Sequence, residues 1–499
     1  MQIYNTQTRR KEELVTREEG KVAMYVCGPT VYNRIHIGNA RTFISFDVIR
    51  RYLQWRGYEV TFVQNVTDVD DKIIKRSIEE GRTAAEVAAE YTEAFIEDMR
   101  RAGVLDPDIR PKATEEIGEM IALVELLIER GYAYEAEGDV YFSVRSYKDY
   151  GKLSGRNIDE MEGGHRELRA DGQGLEDRKR DPLDFALWKV AKPGEPSWES
   201  PWGQGRPGWH IECSAMSHKY LGLPFDIHGG GGDLVFPHHE NEIAQSEAAY
   251  GCTFSNYWMH TGMLQIANAK TGEVEKMSKS LNNFLMLNEA LDLVRPEALR
   301  MLMLQTHYRS PLVFGDERLG EADAALTRIE TAVKNAGWWL DNAQGSGDAS
   351  MLREAVEQTR TSFIGSMDDD FNAPEALGAV FNLVSELNSA VAAEVESAAV
   401  AEARDCVIDL MSCFGIDVTA AAADDEAAGY PDEVLTLAAD VAGYDGSDKG
   451  DAVQALLDAR AAARKEKNWA VADSVRDGLG ALGFVIEDTP QGARVSYGA

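Results

Sequence analysis

The sequence predicts an α/β fold in which a parallel sheet with an inserted module is followed by an α-helical bundle and a small mixed α/β C-terminal domain. Between residues 22 and 119, short apolar runs alternate with amphipathic segments, a pattern typical of Rossmann-type parallel sheets. Beyond residue 282 the apolar residues recur at helical spacing instead. A hydrophobic fraction of 44% in 499 residues allows several packed cores, and the length predicts roughly three or four domains.

The cysteine content and the apolar runs limit where the chain can work. Five cysteines in 499 residues are too few for a disulfide framework, so metal binding or plain burial is expected. No apolar run approaches the roughly 20 residues that a membrane span needs, and residues 1–5 carry no export signal. We therefore expect a cytoplasmic protein without a membrane partner.

The chain is strongly acidic, with 84 Asp and Glu residues against 51 Lys and Arg residues and a formal net charge of −33. This charge argues against a nucleic-acid partner unless a local basic face exists. Such acidity resembles the proteins of organisms that hold molar salt in the cytoplasm. There the Debye length falls to about 3 Å, and repulsion among the acidic side chains is screened.

We expect the fold to be weak at low salt. The melting temperature should rise between dilute buffer and molar KCl, because the salt screens repulsion among acidic side chains. Sucrose of matched osmolality is the control, since it stabilises folded proteins without screening charge. Equal melting temperatures in dilute buffer and in KCl would contradict the hypothesis.

Two strands and a helix open the first domain. Residues 22–26 and 59–66 are apolar runs that predict strands, and residues 42–55 predict a helix between them. The tetrapeptide His-Ile-Gly-Asn at 36–39 lies between the first strand and this helix. Backbone N–H groups and the positive end of a helix suit an anion at this place. A purely structural hydrogen bond from the histidine is the alternative.

The next segments predict an insertion in the sheet. Polar residues at 67–72 follow the second strand, either as a solvated helix start or as a strand end that faces a substrate. Residues 83–129 predict two helices around a Pro-bearing loop, and 138–144 a short strand of an inserted module. Residues 160–180, rich in Gly and charge, predict an exposed, mobile loop. The sheet resumes after Trp209.

A scattered set of cysteine, histidine and glutamate residues has the character of metal ligands. His238 and Glu242 stand four residues apart, so on a helix they share one face. Cys27 follows the first strand, and with Cys213 it could complete a tetrahedral set suited to zinc. The alternative is that each cysteine is only a small buried hydrophobe.

Two basic stretches suggest phosphate binding. The pentapeptide Lys-Met-Ser-Lys-Ser at 276–280 supplies two flexible ammonium groups of the kind that clamp a triphosphate. Four basic side chains between 460 and 467 stand beside Trp469, an arrangement suited to phosphates and one stacked base. A solvated helix face is the alternative for this second stretch. The acidic residues at 367–372 predict a solvated loop before a helix.

These motifs occur together in one family. The segments 25–32, 208–214 and 225–245, the last with its core Phe-Pro-His-His-Glu-Asn-Glu, resemble cysteinyl-tRNA synthetases. The motifs at 36–39 and 276–280 resemble the paired signatures of class I synthetases. The resemblance covers almost the whole chain. It implies a monomer that activates L-cysteine with ATP and Mg²⁺ and transfers it to the 3′-terminal adenosine of tRNA(Cys), with one Zn²⁺ that selects the thiol.

The resemblance also implies roles for individual residues. The zinc ligands would be Cys27, Cys213, His238 and Glu242, whereas the neighbouring His239 would not be a ligand. The cysteine pocket would be lined by Gly28, Thr67, Trp209 and His228. The ATP contacts would be His36, Gly38, Asn39, Gly231, Asp233, Lys276 and Lys279, of which His36, Asn39, Lys276 and Lys279 would be catalytic. The anticodon contacts would be Arg464, Trp469, Asp473 and Asp488.

The implied domains follow the same order. They are a Rossmann-type catalytic domain of residues 1–120 and 205–265, an inserted connective module of 121–204, a signature-loop and stem-contact region of 266–325, a helical bundle of 326–419, a linker of 420–433 and an anticodon-binding domain of 434–499. The family signature often ends in His where this chain has Asn39. Asparagine keeps a neutral donor but cannot carry a proton, so we expect a hydrogen bond and no acid role there.

Two other functions use the same pocket. A ligase of the mycothiol type activates cysteine and joins it to an amino-sugar, and a zinc-bearing RNA-binding paralogue would have no activity. The long C-terminal region with Trp469 favours the synthetase, because a small acceptor does not need it. The intact pentapeptide at 276–280 disfavours the paralogue.

Overall fold

The structure, a computed structural model, describes residues 1–158, 178–267, 274–276, 285–419, 430–489 and 492–497. The chain folds into two compact units, fewer than the three or four domains expected from its length. The first unit consists of Met1–Leu326, Arg360–Val380 and Leu410–Ile416, and the second of Thr327–Thr359, Phe381–Asp409 and Asp417–Ala499.

The strands are numbered in chain order. They are β1 Gln2–Asn5, β2 Arg10–Glu13, β3 Lys21–Val26, β4 Glu59–Gln64, β5 Ala133–Ala136, β6 Asp139–Phe142, β7 Phe185–Val190, β8 Gly205–Pro207, β9 Phe225–Gly231, β10 Ser255–Thr261, β11 Leu264–Ala267, β12 Val274–Lys276, β13 Leu312–Phe314, β14 Phe484–Thr489 and β15 Gly492–Tyr497.

The helices longer than one turn fall between and after these strands. Up to β13 they are Ile37–Trp55, Asp71–Glu80, Ala84–Arg101, Ile117–Glu129, Trp209–Leu221, Glu240–Tyr250, Leu287–Leu293 and Pro296–Leu304. After β13 they are Asp316–Asn342, Ser350–Met367, Ala373–Ala392, Ser397–Ser412, Glu433–Ala442, Lys449–Lys465 and Trp469–Ala481. We call Ile37–Trp55 the signature helix.

Four parallel strands form the central sheet in the order β10-β9-β3-β4. In this sheet Val26 at the end of β3 lies opposite both Gln64 of β4 and Gly229 of β9. Ligands of such sheets bind at the carboxyl ends of the strands. The signature helix begins at Ile37 rather than at residue 42, because His36 caps its N-terminus.

The inserted module shares a core with the sheet domain. Strands β5 to β8 form a four-stranded antiparallel sheet. Its residues Phe142 and Trp188 are completely buried in one cluster with Ile211 and Ala244, which lie on helices beside the central sheet. This common core explains why the module is not a separate compact unit. The loop predicted at 160–180 lies outside the described residues as far as residue 177.

The prediction of a solvated acidic loop at 367–372 is wrong. Asp370 is completely buried, and its carboxylate accepts hydrogen bonds from the Tyr4 backbone and the Tyr308 hydroxyl, both at 2.8 Å. It also accepts a hydrogen bond from Arg309 Nε at 2.6 Å. These partners stand far from Asp370 along the chain, so local composition could not reveal that the loop is buried.

The C-terminal part of the second unit has its own core. Three helices and the β14–β15 hairpin enclose Leu456, Val475 and Phe484. Tyr430 already belongs to this core, whereas residues 420–429 of the predicted linker lie outside the described residues. In the part of the chain that the structure describes, every helix is too short or too polar to cross a membrane.

Candidate active site

The chain just after the second signature is hydrogen-bonded to the first signature. The Ile37 N–H donates to the Leu285 carbonyl at 3.1 Å, and the Leu287 N–H donates to the Ile35 carbonyl at 2.9 Å. Strand β12 ends at Lys276, which is the first residue of the second signature. The side chain of Lys276 and all of Lys279 lie outside the described residues.

His36 has the structural role that the sequence left open. Its Nδ1 accepts a hydrogen bond from the Asn39 backbone N–H at 3.3 Å and so caps the signature helix. Gly38 is half-buried and the Asn39 side chain is exposed. The positive end of this 19-residue helix is a place where an anion is stabilised.

The residues predicted to contact adenosine lie at the end of the neighbouring strand. Gly231 is the last residue of β9 and pairs with Thr261 of β10. Thr261 Oγ1 is 2.8 Å from Oγ1 of Thr42 on the signature helix, so the two strand ends and the helix meet. Asp233 is exposed two residues beyond Gly231.

Four buried side chains converge in the geometry of a metal site. Their donor atoms all lie within 4.8 Å of one another. Cys27 Sγ is 3.6 Å from Cys213 Sγ and 3.5 Å from Glu242 Oε1, and His238 Nε2 is 3.6 Å from Cys213 Sγ and 3.0 Å from Glu242 Oε1. Zinc bonds of about 2.0–2.3 Å give tetrahedral edges of about 3.3–3.8 Å. Three of these four distances fall in that range, and the donor set, two thiols with an imidazole and a carboxylate, fits zinc in kind.

The charges of this cluster also suit a cation. Burial raises the pKa of the Cys27 thiol, and the hydrogen bond from Cys27 lowers the pKa of Cys213. Burial alone would lower the pKa of His238, but Glu242 and Cys213 raise it to about 10. Burial acts to raise the pKa of Glu242, yet His228 and His238 bring it well below its usual range. The cluster thus holds anionic donors and a proton that a metal ion would displace.

A chain of histidines lies against the cluster. His239 Nε2 is 3.3 Å from Cys27 Sγ, His239 Nδ1 is 2.8 Å from His260 Nε2, and His260 Nδ1 is 2.8 Å from Thr6 Oγ1. With Cys27, His228 and Glu242, His239 forms a second group of four donors within 4.8 Å. The resemblance leaves His239 out of the ligand set, whereas the geometry makes it a neighbour of Cys27.

His228 is completely buried and contacts Glu242. Its Nε2 lies 2.7 Å from Glu242 Oε2, and its ring is stacked on Trp258 with centroids 4.5 Å apart. Glu242 therefore faces His228 with Oε2 and faces Cys27 and His238, two of the other three donors, with Oε1. Such a contact orients a metal ligand.

Of the remaining predicted pocket residues, Gly28 and Thr67 follow β3 and β4, and Trp209 begins a helix. The Gly28 N–H donates to Asn65 Oδ1 at 2.8 Å, and any side chain at Gly28 would collide with the Asn65 carbonyl. Thr67 is buried, and its hydroxyl donates to Glu212 Oε2 at 2.6 Å. Trp209 is stacked on the ring of His238, with centroids 4.3 Å apart.

Sequence reasoning missed three polar residues that support these side chains: Asn65, Glu212 and His260. Glu212 is completely buried, and burial raises its pKa well above the usual range. One signal was available for it, since Glu212 is a carboxylate inside an apolar stretch between Trp209 and Cys213. For Asn65 and His260 the partners include Gly28, 37 residues away, and His239, 21 residues away, and no local pattern reveals them.

The predicted anticodon residues lie in the second unit. Arg464 and the nearly buried Arg460 both bind the Asp488 carboxylate, with Arg460 at 2.7 and 3.0 Å. These hydrogen bonds lower the pKa of Asp488 below its usual range. Trp469 is 58% exposed, and Asp473 pairs with Arg476 on the same helix at 3.0 Å. Two of the four basic side chains are thus held by a carboxylate.

Comparison with known proteins decides the family. The tRNA synthetases class I (C) catalytic domain matches residues 13–324, a DALR domain matches 362–419, and the cysteinyl-tRNA ligase anticodon binding domain matches 447–495. A cysteine--tRNA ligase of Desulfitobacterium hafniense is 49% identical over 99% of each chain, and one of Desulforamulus reducens is 47% identical over 99% of each chain. The chain belongs to the cysteine--tRNA ligase family. This confirms the family and the enzyme class that the sequence predicts.

Solved structures support the fold of this cysteine--tRNA ligase family member. A methionyl-tRNA synthetase of Mycobacterium tuberculosis, solved with methionyl-adenylate, has a TM-score of 0.57 at 14% identity and covers 79% of this chain and 89% of its own. A leucyl-tRNA synthetase of Agrobacterium radiobacter has a TM-score of 0.60 at 10% identity, covering 81% and 85%. The predicted α/β fold with helical C-terminal domains is confirmed.

Proposed function

We propose that the chain activates L-cysteine with ATP to cysteinyl-adenylate and transfers the cysteinyl group to the 3′-terminal adenosine of tRNA(Cys). One observation carries the proposal. Residues 35–37, at the first signature, are hydrogen-bonded to residues 285–287, which follow the second signature, and the four-donor cluster includes Cys27, which directly follows β3. A candidate site for phosphates and a candidate site for a thiol thus lie in the same compact unit.

The residues that would hold one Zn²⁺ are Cys27, Cys213, His238 and Glu242. Among the two overlapping groups of donors, this set contains both thiols, and His228 already binds the second oxygen of Glu242. When bound, zinc would supply a thiophilic Lewis acid that prefers a thiolate to a neutral hydroxyl. A plain pocket separates such near-isosteres by only about 10²-fold. Gly28, Thr67, Trp209 and His228 would complete the surroundings of the amino acid.

The chain's own residues act on ATP by position and charge. His36, Gly38 and Asn39 at the helix N-terminus would address the phosphates, and Lys276 and Lys279 would neutralise the departing pyrophosphate. Gly231 and Asp233 would receive the adenosine, with Asp233 accepting from the ribose. Mg²⁺ would accompany the triphosphate, as hard cations do. In the attack on the α-phosphate the nucleophile is the carboxylate of cysteine, so no protein nucleophile is needed.

Two assays test the function in sequence. Cysteine-dependent exchange of pyrophosphate into ATP separates an enzyme from a non-catalytic RNA-binding protein. Charging of tRNA(Cys) then separates the synthetase from a cysteine:amino-sugar ligase, which would show exchange without charging. We expect both activities. Exchange without charging, or neither, would overturn the proposal.

Replacing Asn39 by alanine is expected to slow adenylate formation by about 10-fold, the scale of one hydrogen bond to a charged group. The backbone N–H that binds His36 remains, so the helix cap should persist. Pyrophosphate exchange measures the rate, and Asn39→Gln, which retains the amide donor, is the matched control. An unchanged rate in Asn39→Ala would refute the predicted hydrogen bond from this side chain.

Replacing Trp469 by alanine is expected to raise KM for tRNA about 10-fold, because one stacked base is worth roughly 1–3 kcal/mol. Pyrophosphate exchange should not change, since Trp469 lies on an exposed face of the second unit. Lys449→Ala, also in this part of the chain, is the control. An unchanged KM for tRNA in Trp469→Ala would remove Trp469 from the proposed anticodon contacts, which also include Arg464, Asp473 and Asp488.

We also propose the division of labour implied by the sequence. The catalytic domain would consist of residues 1–120 and 205–265, and the inserted module of 121–204. The region that carries the second signature and contacts the tRNA stem would be 266–325, and the helical bundle would be 326–419. The anticodon would be read by residues 434–499. The monomeric state and the cytoplasmic location stay predictions. Light scattering of the purified chain would measure the first, and fractionation of source cells the second.

A further inference from the structure

Arg41 is a completely buried arginine whose guanidinium binds backbone carbonyls. Nη1 donates to Gly262 at 2.9 Å and to Met263 at 3.1 Å, and Nη2 donates to His307 at 3.3 Å and also to Ser310. No carboxylate among the described residues pairs with it. Burial lowers its pKa to about 10, so the side chain stays charged at neutral pH. A buried cation is costly, and four carbonyl dipoles replace the missing counter-ion.

The four carbonyls belong to two segments that begin neighbouring strands. Gly262 and Met263 directly precede β11, and Ser310 stands just before β13. β11 pairs with β13 in parallel and with β12 in antiparallel orientation. The last residue of β12 is Lys276, which opens the second signature. Arg41 therefore binds the segments that precede two strands of this small sheet, and the third strand of the sheet ends at Lys276.

The two segments approach each other closely at Gly262. Its N–H donates to the Tyr308 carbonyl at 2.8 Å, and the Leu312 N–H donates to the Met263 carbonyl at 3.1 Å. A Cβ at Gly262 would collide with the Ser310 carbonyl. The contact thus needs both a glycine and a cation, because several carbonyl oxygens converge on one place.

We propose that Arg41 is a positioning residue for the second signature. It holds the starts of β11 and β13 against the signature helix, and the pairing of β12 with β11 then determines the position of Lys276. The same helix carries His36, and its N-terminal flank binds residues 285–287 beyond the signature. The signature helix and its flank therefore bind the chain both before and after the second signature. The inference rests on the proposed role of Lys276 and Lys279 toward pyrophosphate.

A purely structural role predicts something different. It would lower the melting temperature and weaken every step alike. A positioning role acts only where the lysines act, during departure of pyrophosphate, since a misplacement of about 1 Å can cost about 100-fold in rate. The transfer step from an already formed adenylate does not involve pyrophosphate and should be spared.

Two variants test the contact from opposite sides. Arg41→Lys keeps the charge but cannot bridge four carbonyls, and Gly262→Ala pushes the two segments apart while leaving Arg41 intact. For both we expect kcat of cysteine-dependent pyrophosphate exchange to fall about 100-fold, with KM for cysteine unchanged. Single-turnover transfer from isolated enzyme-bound adenylate to tRNA should keep the wild-type rate.

The matched control is Arg50→Lys on the same helix. Arg50 is also buried, and it donates to the Asp106 carbonyl at 2.7 Å and to Asp108 at 3.0 Å. We expect Arg50→Lys to lower the melting temperature but to leave exchange unchanged. Equal losses in exchange and transfer for Arg41→Lys and Gly262→Ala, or a loss in melting temperature alone, would overturn the inference. A wild-type chain without exchange activity would instead overturn the proposed function.

Discussion

Replacing Cys213 by serine is expected to reduce bound zinc from one ion per chain to nearly none. Cys213 supplies one of two thiols in a buried set of four donors, and its pKa is lowered by the hydrogen bond from Cys27. A serine hydroxyl in that place stays protonated and is a poor zinc ligand. Elemental analysis of the purified chain measures the metal without any assay of activity.

The Cys213→Ser variant should also discriminate less strongly between cysteine and serine. Preference for cysteine over serine in pyrophosphate exchange should fall to about 10²-fold or less, the limit of a plain pocket. Cys252→Ser is the control, because Cys252 is exposed and lies in neither donor group. Cys252→Ser should keep both its bound zinc and its preference for cysteine over serine. Undiminished zinc in Cys213→Ser would refute Cys213 as a ligand.

Replacing Asp47 by alanine is expected to lower the free energy of unfolding by about 3–5 kcal/mol, the usual cost of removing one partner of a buried ion pair. Asp47 Oδ2 accepts from the buried Arg300 at 2.6 Å and from Arg51 at 2.8 Å, and Oδ1 accepts from the Leu105 N–H at 2.9 Å. The variant leaves Arg300 buried without a carboxylate. Urea titration of the intact chain measures the change.

The pair also predicts how stability depends on pH. Burial acts to raise the pKa of Asp47, but Arg300 and Arg51 bring it below its ordinary value. A lowered pKa in the folded state means that the stabilisation is complete above the unfolded pKa of about 3.9 and is lost as pH falls through the folded pKa. The difference between wild type and Asp47→Ala should be constant from about pH 5 to 7 and shrink in acid.

An exposed ion pair in the first unit provides the control. Lys75 and Glu79 stand four residues apart on a helix, 3.9 Å from each other, with 80% and 53% of their side chains exposed. Glu79→Ala should change the free energy of unfolding by less than about 1 kcal/mol. An effect of Asp47→Ala as small as that of Glu79→Ala would show that the buried pair contributes little.

Single residues show where prediction from sequence worked and where it ended. The signature helix and β3 follow from hydrophobic periodicity, because each depends on neighbours within a few positions. The pairing of His238 with Glu242 follows from helical spacing, since residues four apart lie on one face of a helix, and their side chains are 3.0 Å apart. Asp370 was misjudged as solvated, because its partners Tyr4 and Tyr308 stand on distant segments. Nothing in local composition distinguishes such a carboxylate from an exposed one.

By itself the sequence predicted β3 and β4, the helices after residue 282 and the two signatures from residue type and short spacing. The resemblance to a known family implied four candidate metal ligands. Only the tertiary structure decided which buried polar groups meet. It showed that Glu212 accepts a hydrogen bond from Thr67, that His228 contacts Glu242 and that Arg41 binds carbonyls just before two strands. The physical reason is that a buried polar group must find a partner wherever the packed chain offers one, and that partner can stand at any distance along the sequence.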